Sequence, residues 1–179
     1  MNILEKITSI VQRISLRHLD SDPKRTGLEP LSNIRSAAVF IDANVPGAVP
    51  VINSVHDYFR SRDIKVQIIA ITSGEMIFGE SMYDATFIHK DDLNWYGKPL
   101  EGDDHPDLKL GEDLFLSLFP DNSYTVEYLA RCSGARFKIG RRQIRDNIYD
   151  LVISENGDFN LNQQQAFQAI MKFVEQIQY

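Results

Sequence analysis

Apolar and polar positions change period several times along this chain, and each change marks an element. Residues 2–17 carry Ile3, Leu4, Ile7, Ile10, Val11 and Ile14, with Glu5, Lys6, Gln12 and Arg13 outside the stripe they form. That spacing predicts an amphipathic helix within residues 1–20. Three environments would satisfy the stripe. They are a core onto which it folds back, a second copy or protein partner, and a membrane surface attracted by Lys6, Arg13 and Arg17. The segment SDPKRTGLEP then interrupts every periodicity, so residues 21–34 read as an exposed connector to a single domain over 35–179. Residues 37–41 are apolar throughout, as in a strand buried on both faces, and the run stops at Asp42. Asn44, Pro46 and Gly47 form a turn. A helix starts near Ala48, with Pro50 in its first turn, where an amide has no helical partner. Val51, Ile52, Val55, Tyr58 and Phe59 give that helix its apolar face. Lys65–Ile71 reads as a second strand, ending in Thr72, Ser73 and Gly74. A short helical piece or loop over 75–82 precedes a third strand near 85–89.

From 90 to 111 turn formers dominate, which predicts a surface excursion with a small hairpin around Trp95. Trp95 and Tyr96 either pin this loop to the core or serve a lid or partner-binding role. Leu114, Phe115, Leu116, Leu118 and Phe119 make a nearly unbroken apolar strand. Asn122 or Ser123 caps the next helix, Val126, Leu129 and Ala130 share its inner face, and Gly134 stands where a left-handed C-cap is expected. Phe137 and Ile139 alternate with Arg136 and Lys138 in a further strand, and 151–153 gives another. Asn160 is expected to cap a final helix whose Leu161, Ala166, Phe167, Ile170, Met171, Val174 and Ile177 cover the sheet. Strand, crossover helix and strand recur. The expected class is α/β: a Rossmann-like, mainly parallel sheet of about five or six strands with helices on both faces.

Composition narrows the function classes. The chain has 179 residues, 43% of them apolar and 25% charged, ordinary values for one globular domain. A formal charge of −6 argues against a general nucleic-acid binder. The single cysteine, Cys132, excludes an internal disulfide and suits a reducing compartment. It falls near a helix C-terminus, which disfavours a thiolate, so it reads as inert packing. With neither a signal-like nor a membrane-spanning apolar run, the expected location is cytoplasmic.

Chemistry-bearing clusters are few. Asp103, Asp104, His105 and Asp107 read either as hard-metal ligands or as a solvated loop; no second cluster supports a metal, and none is assigned. His56 with Asp57 and His89 with Lys90 are isolated pairs. Glycine-framed serines, phosphate loops and dinucleotide fingerprints are missing, so no catalytic residue and no cofactor are assigned. Arg131, Arg136, Lys138, Arg141, Arg142 and Arg145 place six of the 19 basic residues within fifteen positions. They either answer the acidic run at 101–113 or hold an anionic ligand or partner. For the latter role Arg141 and Arg142 are the candidates, with Gly140 letting a ligand approach the backbone. In parallel sheets ligands sit beyond the carboxyl ends of the strands, where strand order reverses. If the first strand lies beside the fourth, that crevice falls among Asn44, Gly47, Ser73, Gly74, Asp121, Asn122 and Ser123.

Residues 112–154 resemble the heptosyltransferase-type glycosyltransferases, in which a similar strand and helix lead to a strand like ARFKIG, and YDLVIS is close to a phrase of that family. Residues 37–71 resemble the opening strand–helix–strand of the same family, with Pro50 matching an early proline. The resemblance implies the acceptor-side, N-terminal Rossmann-like domain, acting with a partner that binds the nucleotide sugar. It also implies a glycine–aspartate base in the first turn, where this chain has Ala43–Asn44, and asparagine cannot take up a proton as a carboxylate does. The whole chain looks like short bacterial proteins that keep such a half-fold. The expectation is therefore a non-catalytic binding or assembly module, with the glycosyltransferase-like half as the alternative.

Overall fold

The computed structural model describes residues 3–17, 19, 27–74, 83–102, 105, 108, 112–153 and 161–177. In chain order these form α1 (Ile3–Arg17), β1 (Ser36–Asp42), α2 (Ala48–Arg60), β2 (Lys65–Ile71), β3 (Thr86–Ile88) and β4 (Leu114–Ser117). Then come α3 (Tyr124–Cys132), β5 (Phe137–Gly140), β6 (Leu151–Val152) and α4 (Gln163–Val174). The strands make one sheet in the order β3-β2-β1-β4-β5-β6, every neighbouring pair parallel. This is the expected α/β class, and β1 does lie beside β4. The chain steps outward from β1 to β3, then returns to the other side of β1, so the order reverses between β1 and β4.

The two faces of β1 explain its unbroken apolar run. Ala37, Val39 and Ile41 pack with Val51, Val55 and Phe59 of α2 and with Phe167 and Ile170 of α4. Ala38 and Phe40 face the opposite layer, with Phe115 of β4 and Val126 and Leu129 of α3. Phe40 and Phe115 stack at 4.6 Å between ring centroids. In register, Val39 stands between Ile68 and Leu116, and Leu116 pairs on with Ile139. Val39, Ile41, Ile68, Phe115 and Leu118 are buried as expected. Ile153 is only partly buried, because β6 is the sheet's edge and ends at Val152.

Helix ends differ from expectation in two places. The final helix is capped by Asn162, whose side chain accepts from the Gln165 amide while Gln165 reaches back to the Asn162 amide. Leu161 and Ile177 therefore flank α4 instead of belonging to it. Asn160 lies outside the described residues, as do 75–82 and the connector residues 21–26. At α3, Ser123 is the N-cap, its hydroxyl accepting from the Val126 amide at 3.3 Å. The far end leaves through extended Ser133, and Gly134 is not among the residues of positive φ. A buried lysine answers that end instead: Lys138 Nζ donates to the carbonyls of Ala130 and Ser133, both at 2.7 Å. A cation here also complements the helix dipole.

Candidate functional site

The ends of β1, β2 and β4 surround an open crevice at the reversal of strand order. Asp42 is its centre. Its carboxylate accepts from the Asn44 amide at 2.9 Å and from Asn44 Nδ2 at 2.8 Å. Asn44 Oδ1 in turn accepts from the Ser73 amide and hydroxyl, each at 2.8 Å, which ties the end of β1 to the end of β2. Gln163, the first residue of α4, pairs with the Asp42 backbone like a neighbouring strand. It accepts from the Asp42 amide and donates to the Asp42 carbonyl, both at 2.8 Å. On one side of Asp42 and Pro120 a pocket of about 450 Å³ is lined by Asn44, Ser73, Asp121, Asn122 and Ser123, together with Thr72 and Lys90. On the other side a second pocket of about 450 Å³ has Val45, Pro46, Pro50 and Leu161 as walls, with Gly47, Arg141 and Gln163 beside them. Gly47 is needed for its backbone: it caps α2 at φ 87. Gly74 follows Ser73 at the rim, its amide bonded to Thr72 Oγ1.

The structure thus gathers Asn44, Ser73, Asp121, Asn122 and Ser123 around one pocket and Gly47 and Arg141 around the other. Arg142 joins neither. It pairs at the surface with Asp121 at 2.5 Å. Sequence reasoning missed Asp42 and Gln163 as site residues. The abrupt end of the apolar run at Asp42 was the available signal; Gln163 had none, because its partner lies 121 positions away.

The basic cluster does not converge on the crevice as one site. Arg141 is only 6% exposed and clamps the crevice from below, donating to the carbonyls of Leu118 at 3.1 Å and Leu161 at 2.7 Å. Lys138 is buried under α3 as described. Arg136 binds Asp113 at 3.0 Å and lies near Glu29. Arg131 binds Glu127 and Asp146, both at 2.9 Å. Of the acidic run at 101–113, the described residues bring only Asp113 to this cluster; neighbouring carboxylates and backbone carbonyls do the rest. Gly140 serves packing, not ligand approach: a Cβ there would overlap the Tyr149 ring.

Helix α1 is the second feature of the surface. None of its residues is buried, and Ile3, Leu4, Ile7, Ile10 and Ile14 are 46–73% exposed. It rests on the body by the side that carries Gln12 and Ser15, with Val11 and Leu16 half-buried beside them. Gln12 Nε2 donates to the Tyr96 carbonyl at 2.7 Å, and Ser15 Oγ shares a 2.7 Å hydrogen bond with the Tyr124 hydroxyl. The expectation that the stripe folds back onto the core is therefore overturned. The hairpin around Trp95 is present, closed by Asn94 and Lys98. It is pinned by Tyr96, edge-on to Tyr124, and by Thr125 Oγ1 donating to the Gly97 carbonyl. Trp95 itself is 66% exposed and so does not do the pinning.

Cys132 is exposed, not a buried packing residue. Partial desolvation nonetheless holds its thiol above the ordinary range, more than the Tyr128 hydroxyl bond lowers it. Among the described residues no group of three or more His, Cys, Asp or Glu side chains could hold a metal. His105 Nδ1 lies 3.1 Å from Asp92 Oδ1, while Asp103, Asp104 and Asp107 fall outside the described residues. No described helix is long and apolar enough to cross a membrane.

Strand order and crevice define the class: a doubly wound, all-parallel α/β protein whose strand ends open at the switch point between β1 and β4. Within that class, the chain belongs to a family of unknown function (DUF6913), whose family model matches residues 8–173. No curated protein and no solved structure matches it.

Proposed function

We propose that the protein is a non-catalytic binding and assembly module in which α1 pairs with α1 of a second copy. The observation that carries this reading is an open isoleucine stripe on a helix docked by its polar side. Ile3, Ile7, Ile10 and Ile14 recur at intervals of four, three and four, the seam spacing of a coiled coil. A second copy carries the same stripe, so one two-fold contact covers both. Parallel pairing sets Lys6 beside Val11 of the other helix, where its aliphatic stem covers apolar surface; antiparallel pairing would set the basic Lys6 and Arg13 against each other.

Sedimentation velocity tests this. The wild type should associate with rising concentration, and Ile7→Glu with Ile10→Glu should sediment as a monomer with an unchanged melting temperature. Removing residues 1–20 should leave a folded monomer. A wild type that stays monomeric at every concentration refutes the assembly role. A reducing, cytoplasmic setting draws support from the lone cysteine, and a bacterial one from the resemblance to short bacterial proteins.

A second reading rests on the crevice. Reversal of strand order at β1 and β4, beside the hydroxyls of Ser73 and Ser123, supports an acceptor-side half of a glycosyltransferase-type pair. It requires a copurifying partner with a nucleotide-sugar-binding fold. If pull-downs recover no such partner, this reading fails.

A further inference from the structure

A polar groove of about 640 Å³ runs between α1 and α3, with Gln12 among its lining residues, and it belongs neither to the crevice nor to the isoleucine seam. Arg13 and Arg17 of α1, Arg131 of α3 and Arg145 line it, against the carboxylates of Glu127 and Asp146. Both carboxylates are already taken. Arg131, its side chain only 9% exposed, binds Glu127 through Nε at 3.0 Å and Asp146 through Nη2 at 2.9 Å. Its Nη2 also donates to the Arg145 carbonyl at 3.1 Å. The guanidiniums of Arg13, Arg17 and Arg145 have no partner among the described residues.

Arg145 is not on a loose loop. Ile144 and Ile148 on either side of it are buried, and Gln143 closes the loop by accepting from the amides of Ile144 and Tyr149 and donating to the Tyr149 carbonyl. Within it, Asp146 and Asn147 hold φ of 67° and 52°, which fixes the tight turn that brings Asp146 back to Arg131. Three unpaired planar forks around one groove, in a chain of net charge −6, form a local site for an anion of more than one negative charge.

We propose that the α1–α3 groove binds a phosphate-bearing anion through Arg13, Arg17 and Arg145, with Arg131 as the fixed floor. The phosphate is that of a soluble phosphorylated molecule or of a lipid headgroup, since both present the same forked acceptor. Titration calorimetry with pyrophosphate in low salt tests the site. The wild type should bind saturably, with affinity falling as salt rises. Arg13→Gln with Arg17→Gln and Arg145→Gln should weaken binding at least about tenfold, the loss of roughly 1.4 kcal/mol or more. Arg60→Gln, on α2 and outside the groove, should leave it unchanged. Ser9→Asp keeps every arginine and adds a negative charge at the groove wall, so it should weaken binding even if the triple variant does not fold.

Vesicle flotation separates the sources. Capture by phosphatidylglycerol vesicles that pyrophosphate reverses assigns the lipid headgroup, and pyrophosphate binding without capture assigns the soluble molecule. A wild type that shows neither, or equal loss in Arg60→Gln and the triple variant, overturns the proposal. Ile7→Gln with Ile10→Gln, which adds no charge beside Arg13, should still bind pyrophosphate, so failure of the self-association reading leaves this test independent.

Discussion

Gly140→Ala probes how tightly β5 is packed. The glycine is not in the left-handed region, so alanine suits the backbone and should itself gain about 0.5–1 kcal/mol by restricting the unfolded chain. The obstacle is Tyr149. An added Cβ would fall far inside van der Waals contact with three ring atoms, two of them at 2.6 Å. The ring cannot swing away, being 2% exposed and set against Phe115 at 6.3 Å between centroids. Overpacking of this kind costs about 1–3 kcal/mol, and overlap with a rigid ring belongs near the top of that range. The expected net loss is about 2 kcal/mol. Urea unfolding followed by circular dichroism measures it, and Tyr149→Val supplies the control background. With the ring gone, Gly140→Ala should be neutral or stabilising, which gives a coupling on the order of 2 kcal/mol between the two sites. A loss below about 0.5 kcal/mol, or the same loss in both backgrounds, would refute the packing argument.

Leu116→Ala should cost about 2–5 kcal/mol in the same assay, since Leu116 is buried between β1 and β5; a loss below about 1 would contradict its central place. Arg141→Ala should cost about 1–3 kcal/mol, because the Leu118 and Leu161 carbonyls lose their buried donor. Arg142→Ala should stay within about 1 kcal/mol, its ion pair with Asp121 being open to solvent; equal effects would remove the clamp role of Arg141. Asp113 governs an acid limb. Desolvation raises its pKa, but hydrogen bonds from the Arg35 and Ser36 amides and from Arg136 outweigh it, so the folded value lies below the ordinary one. Its contribution is thus fully present above the unfolded value near about 3.9 and is lost as pH falls through the folded one. Asp113→Asn should flatten acid unfolding in that window, and an unchanged limb would exclude Asp113 as its source.

The central strands were legible because a strand buried on both faces leaves a continuous apolar run, as in residues 37–41 and 68–71. Edge strands carry less pattern: β6 keeps two residues and leaves Ile153 only partly buried. The crevice followed from turn residues at strand ends together with the reversal of order. The basic cluster did not follow. A run of arginines and lysines states charge, whereas the partners of Arg141 and Lys138 are backbone carbonyls delivered by other elements. Gly140 shows the same limit, since the ring that demands it arrives from a loop nine residues on. Between Asn160 and Asn162 the cap was decided by Gln165, three residues after the true cap, as a capping box requires.

Helix α1 carries the largest mismatch between pattern and environment. Burying one large aliphatic side chain is worth about 1.5–3 kcal/mol, and α1 leaves Ile3, Leu4, Ile7, Ile10 and Ile14 largely open. What holds it to the body is a pair of part-buried hydrogen bonds, each worth about 1 kcal/mol, with Val11 and Leu16 half-buried beside them. A helix governed by these terms alone would roll its stripe inward. The site it rests on does not offer that option: Tyr96 presents a carbonyl and Tyr124 a hydroxyl, which match Gln12 and Ser15 and would be left poorly paired by isoleucine. The body therefore selects the polar side of α1 and turns the apolar side outward. Arg13 and Arg17 flank the docked side and line the groove with Arg145, so one helix orientation sets both the seam and the anion site. Rolling α1 by mutation, with Gln12→Leu and Ser15→Ala favouring inward burial, would then weaken self-association and pyrophosphate binding together, whereas substitutions confined to either face would affect one alone.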